Sequence, residues 1–74
     1  MLIQRIRDLV QADPFQPFQI RLTSGVVHDV KNRDFILIAP KGSWIDITDE
    51  NDNGHFVSSL LIEEVIVPKA ARST

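Results

Sequence analysis

The first twelve residues carry apolar side chains at helical spacing. Leucine, isoleucine and valine recur every three or four positions, at Leu2, Ile3, Ile6, Leu9 and Val10. This spacing predicts an amphipathic helix over residues 1–12. We expect the helix to end at Asp13, because a residue that precedes proline is pushed out of the helical region. Its polar face has few cations and no aromatic residue, so we expect it to cover one end of a sheet rather than to bind a membrane surface or a partner.

After residue 17 the hydrophobic period changes to two. Residues 13–17 form a stiff connector in which Pro14 and Pro17 restrict the backbone and Phe15 can anchor it to a core. Alternating or wholly apolar runs, separated by turn residues, then predict short strands. These runs lie at residues 18–23, 26–31, 35–39, 44–48, 55–58 and 63–67.

The order of these segments predicts the fold class. No segment with helical period separates the strands, which excludes a parallel sheet with helical crossovers. Short antiparallel strands with unprotected edges usually close on themselves. We therefore predict a mainly β fold, in which an N-terminal α-helix is followed by a small, strongly bent, five- or six-stranded antiparallel barrel over residues 18–67. The chain forms a single domain over residues 1–74, with a flexible polar tail at residues 68–74.

One predicted strand, residues 35–39, is apolar on both faces, so its second face needs a cover. Trp44 is the sole tryptophan and opens a strand whose inward positions are expected to be Ile45 and Ile47, so it points outward. We predict an interface made by Ile36, Ile38 and Trp44, where a second copy of the chain or a protein partner packs. The alternative for Trp44, that it folds under the N-terminal helix, stays open.

Composition agrees with a small globular domain that benefits from association. The chain has 74 residues, of which 43% are apolar and 24% charged, and it has no cysteine for a disulfide. A chain of this length gains little net stability from one core, so we expect a homo-oligomer. No apolar run reaches the length of a membrane span, and the N-terminus lacks a signal-peptide pattern. We expect a cytoplasmic protein with no membrane partner.

The sequence offers little catalytic or metal chemistry. Residues 49–54 place Asp49, Asn51 and Asn53 at the first, third and fifth positions of a calcium loop, but the twelfth position is Leu60 instead of a glutamate. We expect a polar hairpin turn there. The two histidines lie far apart in the sequence, and no nucleophile elbow or phosphate loop is present. We therefore predict no cofactor, no metal and no enzymatic activity.

The string Pro-Phe-x-Pro-Phe-x-Ile-x-Leu-x-Ser-Gly at residues 14–25 follows the predicted helix. With Asp34-Phe35 and the later Leu60-Leu61-Ile62, it resembles a group of short bacterial proteins of no known activity. This resemblance covers nearly the whole chain and implies no particular site.

The order of elements, the first strand and turn at residues 18–25, and the pair Asp34-Phe35 also resemble the Sm-like family of small bent barrels. That resemblance implies ring assembly and binding of single-stranded RNA. The residues predicted to contact RNA are Lys31 and Arg33 for phosphate, and Phe35 or His28 for base stacking. The chain lacks the family's arginine–glycine pair before the last strand, and its net charge is −2, so RNA binding is the alternative to the assembly hypothesis.

Overall fold

The computed structural model describes residues 2–68 and shows a mainly β protein with one N-terminal helix. The helix α1 is followed by six strands and two short 3-10 helices. Their bounds are α1 Leu2–Gln11, β1 Phe18–Leu22, β2 Val27–Val30, the first 3-10 helix Arg33–Phe35, β3 Ile36–Ile38, β4 Trp44–Thr48, β5 Gly54–Ser58, the second 3-10 helix Ser59–Leu61 and β6 Ile62–Ile66. The predicted mainly β class with an N-terminal helix is thus confirmed. Of the tail predicted at residues 68–74, all but Pro68 lies outside the described residues.

The strands form two three-stranded antiparallel sheets, in the orders β2-β1-β6 and β3-β4-β5. Their hydrogen bonds do not join into one closed barrel within residues 2–68, so the structure differs here from the barrel predicted over residues 18–67. In the first sheet Ile20 of β1 lies opposite His28 of β2 and Val65 of β6. The chain passes from the second sheet back to the first through the second 3-10 helix, a link of only three residues.

The core lies between the two sheets and the helix. Alternate residues of the strands point into it, as the period of two predicts, and α1 contributes Ile6 with no exposed surface. Ile3, Leu9 and Val10 of the same helix pack against this core. The largest fully buried side chains are Phe18, Ile6, Ile20, Ile45, Ile47 and Val30. No helix within residues 2–68 is long and apolar enough to cross a membrane.

The predicted strand at residues 35–39 differs in length and in orientation. Phe35 belongs to the first 3-10 helix, and β3 has only three residues. Ile36 is buried and Ile38 is half-buried, so the prediction that they form an outer apolar face is wrong. Their orientation follows from register, because Ile36 lies opposite Ile47 and Ile38 opposite Ile45, and directly paired residues share a face.

The turn between β3 and β4 supports the helix. Gly42 adopts a left-handed conformation, with φ of 75°, and its N–H donates to the carbonyl of Ala39 at 2.8 Å. A Cβ at this position would lie 3.2 Å from Cγ1 of Ile3, tighter than most van der Waals contacts. Glycine therefore lets the helix pack directly on the turn.

Candidate functional sites on the second sheet and in a histidine cleft

The second sheet, β3-β4-β5, presents one face to the core and the other outward. We call the outward positions the outer face; they are Leu37, Trp44, Asp46, Thr48, Phe56 and Ser58. The alternation arises from the pleat, because neighbours of the buried Ile45, Ile47 and Val57 must point away from the core. The predicted outward orientation of Trp44 agrees with this pattern.

Two of the outer-face residues are large, apolar and well exposed. Leu37 is 60% exposed and Phe56 is 71% exposed. Trp44 is half-buried and lies against Phe56, with ring centroids 5.3 Å apart and planes tilted by 42°. The outer face therefore combines an aromatic pair with an exposed leucine on a three-stranded sheet, a surface typical of a binding site.

Sequence reasoning missed Leu37 because it assigned the wrong face to β3, and it also missed Phe56 in β5. With Ile45 and Ile47 inward, the observed register of β3 on β4 turns Ile36 and Ile38 inward and Leu37 outward. The sequence did contain a signal for Phe56. It is the neighbour of Val57 in a strand with one face toward the core, so if Val57 points inward, Phe56 must point outward.

Asp46 is the one charged residue in the strands of the second sheet. It lies directly opposite Leu37 on one side and Phe56 on the other. Its Oδ1 is covered by protein and has no hydrogen-bond partner among residues 2–68. A Cβ at Gly54 would come 3.1 Å from that oxygen, so the glycine makes room for the carboxylate.

Each sheet leaves two strand edges unpaired within residues 2–68. They belong to β2 and β6 in the first sheet and to β3 and β5 in the second. The edge of β6 carries Glu63 and Glu64, both of which form ion pairs with Arg21. By contrast, β5 spans five residues without an aspartate, glutamate, lysine or arginine, which leaves it the least protected of the longer edges.

A second candidate site is a cleft of about 590 Å³ where β2 faces β4 and the β4–β5 loop. His28 of β2 and His55 of β5 meet in it, with ring centroids 5.0 Å apart. Burial in the cleft lowers the pKa of His28, and the neighbouring His55 lowers it further, while Asp29 and Asp49 act in the opposite direction.

The carboxylate of Asp49 organises the loop beside the cleft. Its Oδ1 accepts hydrogen bonds from the backbone N–H of Asn51 at 2.9 Å and of Asn53 at 3.0 Å. Its Oδ2 lies 2.9 Å from Nε2 of His55. The contact with His55, helped by the amide of Asn53, lowers the pKa of Asp49 to about 2. The carboxylate that would lead a calcium loop is thus engaged by the turn itself, and no cluster of three or more metal-ligating side chains occurs within residues 2–68.

The structure brings together three of the four residues predicted to contact RNA. His28, Lys31 and Phe35 line the cleft. Lys31 forms an ion pair with Glu50 across the cleft's edge. Arg33 lies elsewhere, because its Nη2 donates to the carbonyl of Ala12 at 2.5 Å and its guanidinium carbon lies 5.8 Å from the centre of the Phe15 ring. Arg33 therefore ties the connector to the first 3-10 helix.

Comparison with protein-family models, with curated proteins and with solved structures finds no match for this chain. The resemblances seen in the sequence stay predictions. A proposal for function therefore depends on the outer face, the strand edges and the cleft.

Proposed function

We propose that this protein is a non-enzymatic binding module that self-assembles or binds a protein partner through its outer face and a free strand edge. The observation that carries the proposal is the exposure of Leu37 and Phe56 beside Trp44 on one face of a three-stranded sheet. When another surface removes large apolar side chains grouped in this way from water, the free energy of the system falls, which favours binding.

Strand pairing supplies the second component of binding. No strand of the described residues pairs with the outer edge of β5, which therefore offers backbone N–H and C=O groups next to Phe56. An added strand would satisfy these groups and at the same time cover the apolar side chain. Self-assembly through edges also suits a chain whose own core is small.

The test compares two lysine substitutions by light scattering and sedimentation over a wide concentration range. Phe56→Lys places a charge on the β5 edge, whereas Val26→Lys changes an exposed valine of the β1–β2 turn. We expect the wild type and Val26→Lys to exceed the 8.4 kDa monomer mass and Phe56→Lys to remain monomeric. A wild type that is monomeric at millimolar concentration and captures no partner would contradict the proposal.

A second candidate function is Sm-like binding of single-stranded RNA. It is favoured by the meeting of His28, Phe35 and Lys31 in one cleft, where the rings could stack on bases. Asp29, Asp49 and Glu50 line the same cleft and oppose phosphate binding. Titration with oligouridine and oligoadenosine at low salt tests it: a salt-dependent shift that Phe35→Ala removes would support RNA binding. The absence of a shift would exclude it.

A further inference from the structure

The position of Asp46 indicates what kind of partner the outer face would bind. Its carboxylate stands in the middle strand of the second sheet, with Leu37 and Phe56 as its two cross-strand neighbours. Trp44 lies two residues before it on the same strand and contacts Phe56. A single charge therefore sits among the large apolar side chains of this face.

This carboxylate has already lost part of its hydration. Oδ1 is shielded from water and accepts no hydrogen bond from the part of the chain that the structure describes, and it occupies the space that a side chain at Gly54 would fill. The uncovered part of the carboxylate would lose its water when a partner covers it, and a cation with hydrogen-bond donors would replace the lost hydration. An apolar partner would instead leave the charge buried and unpaired, which is costly.

The charge also argues against packing two outer faces of this chain against each other. No lysine or arginine occurs in β3, β4 or β5 to neutralise a second Asp46. A two-fold contact centred on this face would bring the two carboxylates close together in an interface from which water is excluded, where their charges repel each other. Edge pairing between copies, by contrast, does not require the two faces to meet.

We infer that the outer face binds a segment of a partner protein that presents an arginine between apolar side chains. The guanidinium can stack on the Trp44–Phe56 pair while an N–H group donates to Oδ2 of Asp46, since Oδ1 is covered by protein, and the apolar neighbours cover Leu37. Lysine lacks the flat surface that stacks on aromatic rings, so arginine is the better fit. This inference rests on the proposed function, because it names the occupant of the same face.

The experiment is selection of random dodecapeptides displayed on phage against the immobilised full chain. Enriched peptides are synthesised and titrated while the fluorescence of Trp44, the sole tryptophan, is recorded. We expect arginine flanked by apolar residues in the enriched set. Replacing that arginine by glutamine should weaken binding by about tenfold or more, as expected for a hydrogen-bonded charge pair.

Two protein variants locate the effect. Asp46→Asn should weaken the arginine peptide by a similar factor, whereas Asp34→Asn, an exposed aspartate of the first 3-10 helix, should leave it unchanged. Circular dichroism confirms that both variants are folded. Equal binding to Asp46→Asn and to the wild type would overturn the arginine inference while leaving a role for the face intact.

The remaining outcomes separate the inference from the proposed function. If Leu37→Ser and Phe56→Ser leave the selected peptides bound, or if no peptide is enriched, docking on the outer face is contradicted altogether. If Asp46→Asn sediments with a larger mass than the wild type at the same concentration, the face packs on a second copy, and the arginine-bearing partner is wrong.

Discussion

The imidazole rings of His28 and His55 contact each other across the boundary between the two sheets, with their centroids 5.0 Å apart. His28 belongs to β2 in the first sheet and His55 to β5 in the second. The charged groups facing the pair within residues 2–68 are Asp29 and Asp49, together with the ion pair Lys31–Glu50 at the edge of the cleft. Protonation of His28 would therefore place a charge at this contact between the sheets.

We predict that acidification below pH 6.5 destabilises the protein through His28. Its pKa is lowered from 6.5 in the folded state by burial and by His55, so the unfolded chain binds the proton more readily. Stability is then full above pH 6.5 and falls as the pH drops from there toward the folded-state pKa. Urea midpoints at pH 7.5 and 5.5 measure the loss. The variant His28→Gln should show a smaller loss, and an equal loss in both proteins would contradict the prediction.

Asp49 gives a second and separate pH dependence. Its folded-state pKa is lowered from 3.8 to about 2 by His55 and by the loop amides, so its contribution to stability is present above pH 3.8 and is lost as the pH falls toward 2. Asp49→Asn should lower the thermal midpoint at pH 7 and flatten the acid limb. Asp52→Asn is the matched control in the same loop, because Asn tolerates the positive φ of 66° found there. The prediction fails if the two variants melt alike.

Adjacent residues of β3 should respond very differently to truncation. Ile36→Ala removes a buried side chain and should cost about 2–4 kcal/mol in the free energy of unfolding. Leu37→Ala removes an outward side chain and should cost about 0.5 kcal/mol or less. Chemical denaturation of the two variants, at concentrations where the chain is monomeric, determines which of the two side chains faces the core. A larger loss for Leu37→Ala would mean that the strand has the opposite orientation.

The packing of the helix on its turn can be measured with two glycines. Both Gly25, with φ of 93°, and Gly42, with φ of 75°, are left-handed, so alanine strains either position by roughly 1–2 kcal/mol. Only at Gly42 would the new Cβ press on Ile3, whereas nothing lies within 4 Å of it at Gly25. We therefore expect Gly42→Ala to be the more destabilising in urea titrations. Equal losses of stability in the two variants would mean that the helix shifts to accommodate the new Cβ without a measurable free-energy penalty.

The sequence was sufficient to predict the helix and the approximate positions of the strands, but not the two 3-10 helices or the arrangement of the sheets. The spacing of Leu2 to Val10 and the alternation of Phe18, Ile20 and Leu22 are local signals, and both were read correctly. The orientation of Ile36 depends on its pairing with Ile47, which is a contact between separate segments. Such register is fixed by tertiary packing and cannot be obtained from the period of a three-residue strand.

The candidate sites show the same division. Trp44 could be placed outward from its own strand, whereas its partner Phe56 required knowledge of the neighbouring strand. The meeting of His28 with His55 joins positions in two different sheets, and neither residue has a sequence motif that points to the other. Arg33 was predicted to bind phosphate, but in the structure it contacts Ala12 and Phe15, which no local pattern indicates.

The three-residue link between β5 and β6 has a consequence for how many copies could join. It places two successive strands at the edges of different sheets, so the free edge of β5 differs from the free edge of β6. If β5 of one molecule paired with β6 of the next, every addition would use one edge and expose another of the same kind. Such head-to-tail growth ends in a closed ring if the rotation between neighbouring molecules brings the last one to the first, and that rotation then sets the number of copies. If the rotation does not close, the result is an open fibre.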